Sequence, residues 1–283
     1  MNKIKFTVIL FSLLFTNLCY SQIGWFWQNP MPTASHINDC FFVNQNTGFT
    51  VGYDGLVLKT TNAGSFWSQL NTNSIKTYTS VHFVSNEKGY LITGDESFPS
   101  NNYLLLTTNS GLNWSNIFTF PNQHLTKILF LNESTGFITG GRYWLGGRIH
   151  KTTNAGLNWL QYTPDPTTNF IYSIFFINKD TGYVTGDDGK ILKTTNCGLN
   201  WVSLNSGTSL LFNDIYFINK DIGYVCGNGG KIYKTTNSGE SWLSTNSSTN
   251  IDLFSINFIN TQTGFAAGWN ALKKMDKKLR VII

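Results

Sequence analysis

One pattern constrains this chain more than any other. Thr-Thr-Asn-x-Gly-x-x-Trp occurs five times, at residues 60–67, 107–114, 152–159, 194–201 and 235–242. Successive Trp residues stand 47, 45, 42 and 41 residues apart. Asn followed two residues later by Gly is turn chemistry, because Asn tolerates a left-handed backbone and Gly takes a positive φ without strain. Apolar residues before each copy (Leu56, Val57 and Leu58 in the first) read as a strand entering the turn, and Trp opens the return strand. Each copy is therefore a predicted hairpin with an aromatic anchor. The anchoring sets are Asn62, Gly64 and Trp67; Asn109, Gly111 and Trp114; Asn154, Gly156 and Trp159; Asn196, Gly198 and Trp201; and Asn237, Gly239 and Trp242.

A second pattern precedes every hairpin and occurs six times. An apolar segment ends on Phe42, Phe83, Phe130, Phe176, Phe217 or Phe258, and a Gly-aromatic pair follows, from Gly48-Phe49 to Gly264-Phe265. Each unit thus reads as four short strands, a period that fits a propeller blade. The sixth unit has its first two strands and a third expected at 271–275, but no Asn-x-Gly-x-x-Trp. Trp25-Phe26-Trp27, at the other end, lies 10 to 12 residues before Ile37; the same Trp-to-strand distance is 11 or 12 elsewhere. The expectation is an all-β, six-bladed β-propeller of four-stranded blades. Its N-terminal strand would complete the last blade and hide the sheet edges.

The five hairpins resemble the Asp-box, or bacterial neuraminidase repeat, with Asn where Asp is usual. That resemblance implies a turn between the third and fourth strands of a blade, away from any active site. From about Trp25 to Leu272 the chain also resembles secreted bacterial propellers of the photosystem II assembly factor-like family. They carry the same Phe, Gly-aromatic and Lys-Thr-Thr alternation. The resemblance implies an assembly or binding platform. The better-known members have seven blades, so seven is the alternative to six.

Residues 1–21 read as a secretory signal: Lys3 and Lys5, an apolar run at 6–15, and small residues before Gln22. The expected organisation is signal peptide 1–21, propeller 22–275 and a basic tail 276–283. The location is then periplasmic or extracellular, with no integral membrane segment in the mature chain. The formal charge of +5 is misleading, since residues 22–272 hold 13 Lys plus Arg against 14 Asp plus Glu. A near-neutral body carries no basic stripe for nucleic acid. Cys40, Cys197 and Cys226 occupy unrelated repeat positions and read as small buried hydrophobes, with no metal-site spacing and no cofactor motif.

Sialidase chemistry needs three arginines gripping a carboxylate. This chain has Arg142, Arg148 and Arg280, the last in the tail. A two-carboxylate glycosidase could draw on Asp54, Asp95, Glu96, Asp187 and Asp188, all on connections after second strands, where Asp is also a common turn former. Asp39 and Asp214 recur on first strands and are expected to line the central channel. No catalytic residue is assigned. The repeat breaks usefully in units two and three, where the connections at 95–102 and 141–146 are long and the segment at 118–121 is aromatic. Phe98, Phe118, Phe120, Arg142, Tyr143 and Trp144 are the candidate binding residues, since Arg, Tyr and Trp dominate binding hot spots. The expected function is a non-enzymatic, monomeric protein-interaction or assembly platform. A carbohydrate-binding or glycoside-cleaving propeller is the alternative.

Overall fold

The computed structural model describes residues 33, 35–95, 100–142, 146–164, 170–245, 247–268 and 280–282. It holds five four-stranded antiparallel sheets and a sixth of three described strands. Blade 1 is β1 (Ile37–Phe42), β2 (Gly48–Gly52), β3 (Val57–Thr60) and β4 (Ser68–Gln69). Blade 2 is β5 (Tyr78–Phe83), β6 (Gly89–Thr93), β7 (Asn101–Thr107) and β8 (Ser115–Pro121). Blade 3 is β9 (His124–Phe130), β10 (Gly136–Arg142), β11 (Gly146–Thr152) and β12 (Leu160–Tyr162). Blade 4 is β13 (Ile171–Phe176), β14 (Gly182–Gly186), β15 (Ile191–Thr194) and β16 (Val202–Leu204). Blade 5 is β17 (Phe212–Phe217), β18 (Gly223–Gly227), β19 (Ile232–Thr235) and β20 (Leu243–Thr245). The last sheet is β21 (Leu253–Phe258), β22 (Gly264–Gly268) and β23 (Arg280–Ile282).

The all-β, four-stranded propeller blades expected from the repeats are therefore present. The third strand of the last sheet differs from expectation: Arg280–Ile282 pairs with β22, in residues read as a tail. The expected third strand at 271–275 and the closing strand Trp25-Phe26-Trp27 lie outside the described residues. Among the described residues no helix is long and apolar enough to cross a membrane.

The recurring residues meet at the joints between blades. In blades 1 to 5 the aromatic after the Gly packs on the Phe of the next blade's first strand. Ring centroids are 3.9 Å apart for Phe49–Phe83, 4.0 Å for Tyr90–Phe130 and 4.0 Å for Tyr183–Phe217. That same Phe receives the Trp of its own blade edge-on, as in Phe217–Trp242 at 6.1 Å. Its ring lies flat over the glycine opposite: a Cβ on Gly223 would sit 2.6 Å from Phe217. Each such aromatic pair adds about 0.5–1.5 kcal/mol beyond its burial. The buried clusters follow the same logic, drawing Phe49, Val51 and Val57 from blade 1 with Tyr78, Val81 and Phe83 from blade 2.

The Asn-x-Gly turn is held by its first Thr. In blade 4 the Thr194 hydroxyl donates to Asn196 Oδ1 (3.0 Å) and accepts from Gly198 N (2.8 Å), while Asn196 Oδ1 accepts from Asn200 N (2.9 Å). Both central residues are left-handed, Cys197 at φ 55° and Gly198 at φ 73°. The return strands begin one residue after Trp, at Leu160, Val202 and Leu243. The lysine before the box also has a role. Lys193 donates to Ser238 O in the next blade (3.1 Å) and lies over the Tyr183 ring.

The two ends of the series are less covered. Ile37 and Phe42 on β1 are 47 % and 42 % exposed, and Ile259 beyond β21 is 70 % exposed. Their equivalents inside the series are covered by a neighbouring blade. Cys40, read as a buried hydrophobe, is exposed for the same reason; Cys226 is buried, and no cysteine pairs among the described residues.

Candidate binding face

Connections after the second strands and those joining blades share one end of the blades. In blades 1, 4 and 5 the connection after the second strand is a tight two-residue turn. Asp54-Gly55 and Asp188-Gly189 both take positive φ, at 57° and 71°, and 54° and 68°. Two consecutive left-handed residues are the requirement of a type I′ hairpin, which favours Asp-Gly. Asp54 and Asp188 are thus turn formers. Asp187 accepts from Phe170 N (3.0 Å) and from the Tyr172 hydroxyl (3.1 Å), so it ties the incoming segment of its own blade to the turn. Burial holds its carboxyl above the ordinary value.

Blades 2 and 3 are built differently. Their extra residues lengthen strands as well as loops. β7 and β8 run for seven residues each, and so do β10 and β11. The base of the blade 2 connection is fixed by Asn102, which is fully buried. Its amide donates to Asp95 O (3.1 Å) and Gln123 O (2.7 Å), and its oxygen accepts from Thr93 Oγ1 (2.9 Å) and Asp95 N (2.8 Å). An amide using all four valences in a dry site locks its surroundings. Lys76 reaches Asp95 at 3.7 Å and lies over the Tyr103 ring at 5.4 Å.

The candidate residues separate on inspection. Phe98, Tyr143 and Trp144 lie outside the described residues. Phe120, expected in a surface loop, is 2 % exposed. It packs on Phe118, His150 and Trp159 in the joint between blades 2 and 3, because residues 118–121 continue β8 instead of looping outward. Phe118 is half-buried beside it. Arg142 ends β10 opposite Gly146, and Arg148 lies on the partner strand β11 opposite Gly140. Arg148 donates to Gly146 O and Gly147 O, at 3.1 and 3.3 Å. Its pKa is lowered by burial and by Arg142 beside it, so the hairpin gathers two cations at one tip. Sequence reasoning missed Arg148 as part of this group; alternation across the hairpin was the available signal. His150, beneath, bonds Gln123 Oε1 at 2.7 Å, and burial pushes its pKa down to about 3. Among the described residues no three His, Cys, Asp or Glu side chains gather as a metal site would require.

Comparison with known proteins bears on the fold. The model of the family described as photosynthesis system II assembly factor YCF48 matches residues 21–161, which takes in nearly all of blades 1 to 3. Over these residues the chain is YCF48-like. A structure of YCF48 bound to a D1 peptide is similar at 18 % identity and TM-score 0.52, covering 89 % of this chain and 92 % of that one. YCF48 from Cyanidioschyzon merolae is similar at 21 % identity and TM-score 0.50, covering 84 % and 94 %. The GH74 enzyme of Niastella koreensis shares the fold at 18 % identity and TM-score 0.67. That likeness covers 81 % of this chain but 43 % of the enzyme, so the chain spans less than half its length. Among curated proteins no match is found. At these identities the structural likenesses speak to fold alone.

Proposed function

We propose that this YCF48-like chain is a non-enzymatic platform that holds a protein segment on the long-stranded edge of blades 2 and 3. The observation that carries the reading is the β10–β11 hairpin, which sets Arg142 and Arg148 together beside a connection braced by Asn102. Paired guanidinium groups suit a carboxylate-bearing or otherwise anionic segment, because their planar donors match carboxylates bidentately. The D1 peptide seen with the similar YCF48 structure supports a protein partner. Residues 1–21 act as an export signal in this reading, and the mature protein works as a monomer in the periplasm or outside the cell.

Carbohydrate binding is the second reading, favoured by the shared fold with GH74 enzymes. The described carboxylates of the same face support it poorly, Asp95 being paired with Lys76, and Glu96 lies outside the described residues. Asp188 and Asp54 serve turns, and Asp187 is spent on Phe170 and Tyr172.

The test is a pull-down from envelope extract and culture medium with residues 22–283 as bait. A matched bait carries Arg142→Ala, Tyr143→Ala and Trp144→Ala. A discrete protein captured by the first bait and lost from the second is the expected result. Equal capture by both baits removes the blade 2–3 edge as the site, and retained polysaccharide without protein favours the second reading.

A further inference from the structure

The inner strands β1, β5, β9, β13, β17 and β21 stand side by side, too far apart for a shared backbone ladder. Side chains bridge them. At the second position Asn38, Thr79, Thr126 and Asn213 donate to the carbonyls of Tyr78, Leu125, Ile171 and Leu253 on the next blade, at 2.6–2.9 Å. At the third position stand Asp39, Ser80, Lys127, Ser173, Asp214 and Ser255. Asp39 Oδ2 accepts from Ser80 Oγ (2.5 Å) and Val81 N (3.1 Å). Asp214 accepts from Ser173 Oγ (2.6 Å), Ser255 Oγ (3.1 Å) and Ile256 N (2.9 Å), reaching both neighbouring blades.

Lys127 breaks this neighbour-to-neighbour rule. It has no acceptor to offer blade 4. Its ammonium instead reaches past blade 2 and donates to Asp39 Oδ1 of blade 1 at 2.9 Å. The side chain stands in the channel with 37 % of its surface open to water, while Asp39 is 11 % open. Two aspartates face one lysine, so the girdle is short of one positive charge.

We propose that Lys127 is the electrostatic brace of the ring: bound to Asp39 and offsetting Asp214 across the channel, it fixes blade 3 against blade 1. This goes beyond the binding reading, since blade 3 carries Arg142 but the brace stands whatever the partner is. Buried like charges without a counter-ion repel and are poorly solvated. Removing the ammonium therefore leaves both carboxylates without a counter-charge, and takes from Asp214, already raised by burial, the cation that lowers its pKa. A carboxyl raised in this way takes up a proton on folding, so the loss is largest at neutral pH and shrinks as pH falls.

Other titratable groups around the brace are Cys40 on β1, His82 on β5 and Cys226 on β18. The Cys40 thiol is pushed up to about 12, first by desolvation and then by Asp39, and burial raises the Cys226 thiol. Both stay neutral across the working range. His82 is held down to about 4, first by burial and then by Lys127. Loss of the ammonium lets His82 protonate more readily, which acts in the same direction.

The experiment is urea unfolding of wild type, Lys127→Met, Asp39→Asn, the double variant and Lys179→Met at pH 8 and pH 5. Lys179 is an exposed lysine beside Asp180 and serves as control. At pH 8 Lys127→Met is expected to lower the folding constant by about 100-fold, and the double variant by less than the product of the two single changes. At pH 5 the Lys127→Met deficit is expected to shrink at least tenfold, while the control changes less than threefold at either pH. A deficit equal at both pH values, or single effects that multiply, would show that Lys127 merely fills space and would overturn the proposal.

Discussion

The same residue in the same repeat position should have two different weights in this fold. Phe217 is 3 % exposed, stacked on Tyr183 of blade 4 at 4.0 Å and met edge-on by Trp242 at 6.1 Å. Phe217→Ala removes a fully buried ring and both aromatic pairs, for an expected loss of about 4 kcal/mol. Phe42 keeps the edge-on contact with Trp67 at 6.1 Å but is 42 % exposed, and water can enter where its ring was. Phe42→Ala should then lose about 2 kcal/mol, roughly half the transfer energy with little cavity penalty. The difference of about 2 kcal/mol is a factor of roughly 30 in the unfolding constant. Urea unfolding of the two variants, followed by tryptophan fluorescence and far-UV circular dichroism with an unchanged slope, reads it directly. Equal losses would refute the reasoning and mean that something covers Phe42 in solution as fully as blade 4 covers Phe217.

Two further outcomes are expected. Trp25 stands 12 residues before Ile37, the place Trp159 holds before Ile171, so Trp25→Ala should destabilise the mature protein by about 2–3 kcal/mol if that segment closes the last sheet. A loss under about 0.5 kcal/mol in urea would exclude that closure. His150 has a folded pKa near 3, below the ordinary histidine value. The unfolded chain therefore binds a proton that the folded chain refuses, and stability should fall by up to about 1.4 kcal/mol per pH unit between pH 6 and 4. His150→Gln should flatten that slope in melts across the range, and an unchanged slope would show that His150 charges freely in the native state.

Much of the blade was legible because its contacts repeat. Six copies of Phe, Gly and aromatic located the first two strands, since a ring lying over a glycine and under the preceding blade's aromatic demands those residue types each time. The box was legible for the same reason, Thr194, Asn196 and Gly198 being bonded to one another within five residues. Contacts made once escaped. Residues 118–121 looked like a loop because nothing local marks Phe120 as filling a joint beside His150 and Trp159. Asp39 and Asp214 were expected to line a solvated channel, but their partners, Val81, Lys127 and Ile256, are about 40 to 90 residues away. Arg280–Ile282 escaped too, because three residues after a charged stretch carry too little alternation to read as a strand.

The aromatic joints have a direction. At five successive joints a ring from the second strand of one blade packs on a ring from the first strand of the blade that follows in sequence. During synthesis, which proceeds from the N-terminus, Phe49 is made before Phe83 and Tyr183 before Phe217. The growing end of the nascent chain is thus always an unsatisfied aromatic surface awaiting the very segment the ribosome releases next. Assembly can then advance blade by blade with short-range docking alone, and a stall leaves one sticky face exposed instead of several. The starting face, at Ile37 and Phe42, is the exception, the one surface whose covering cannot come from the next residues made.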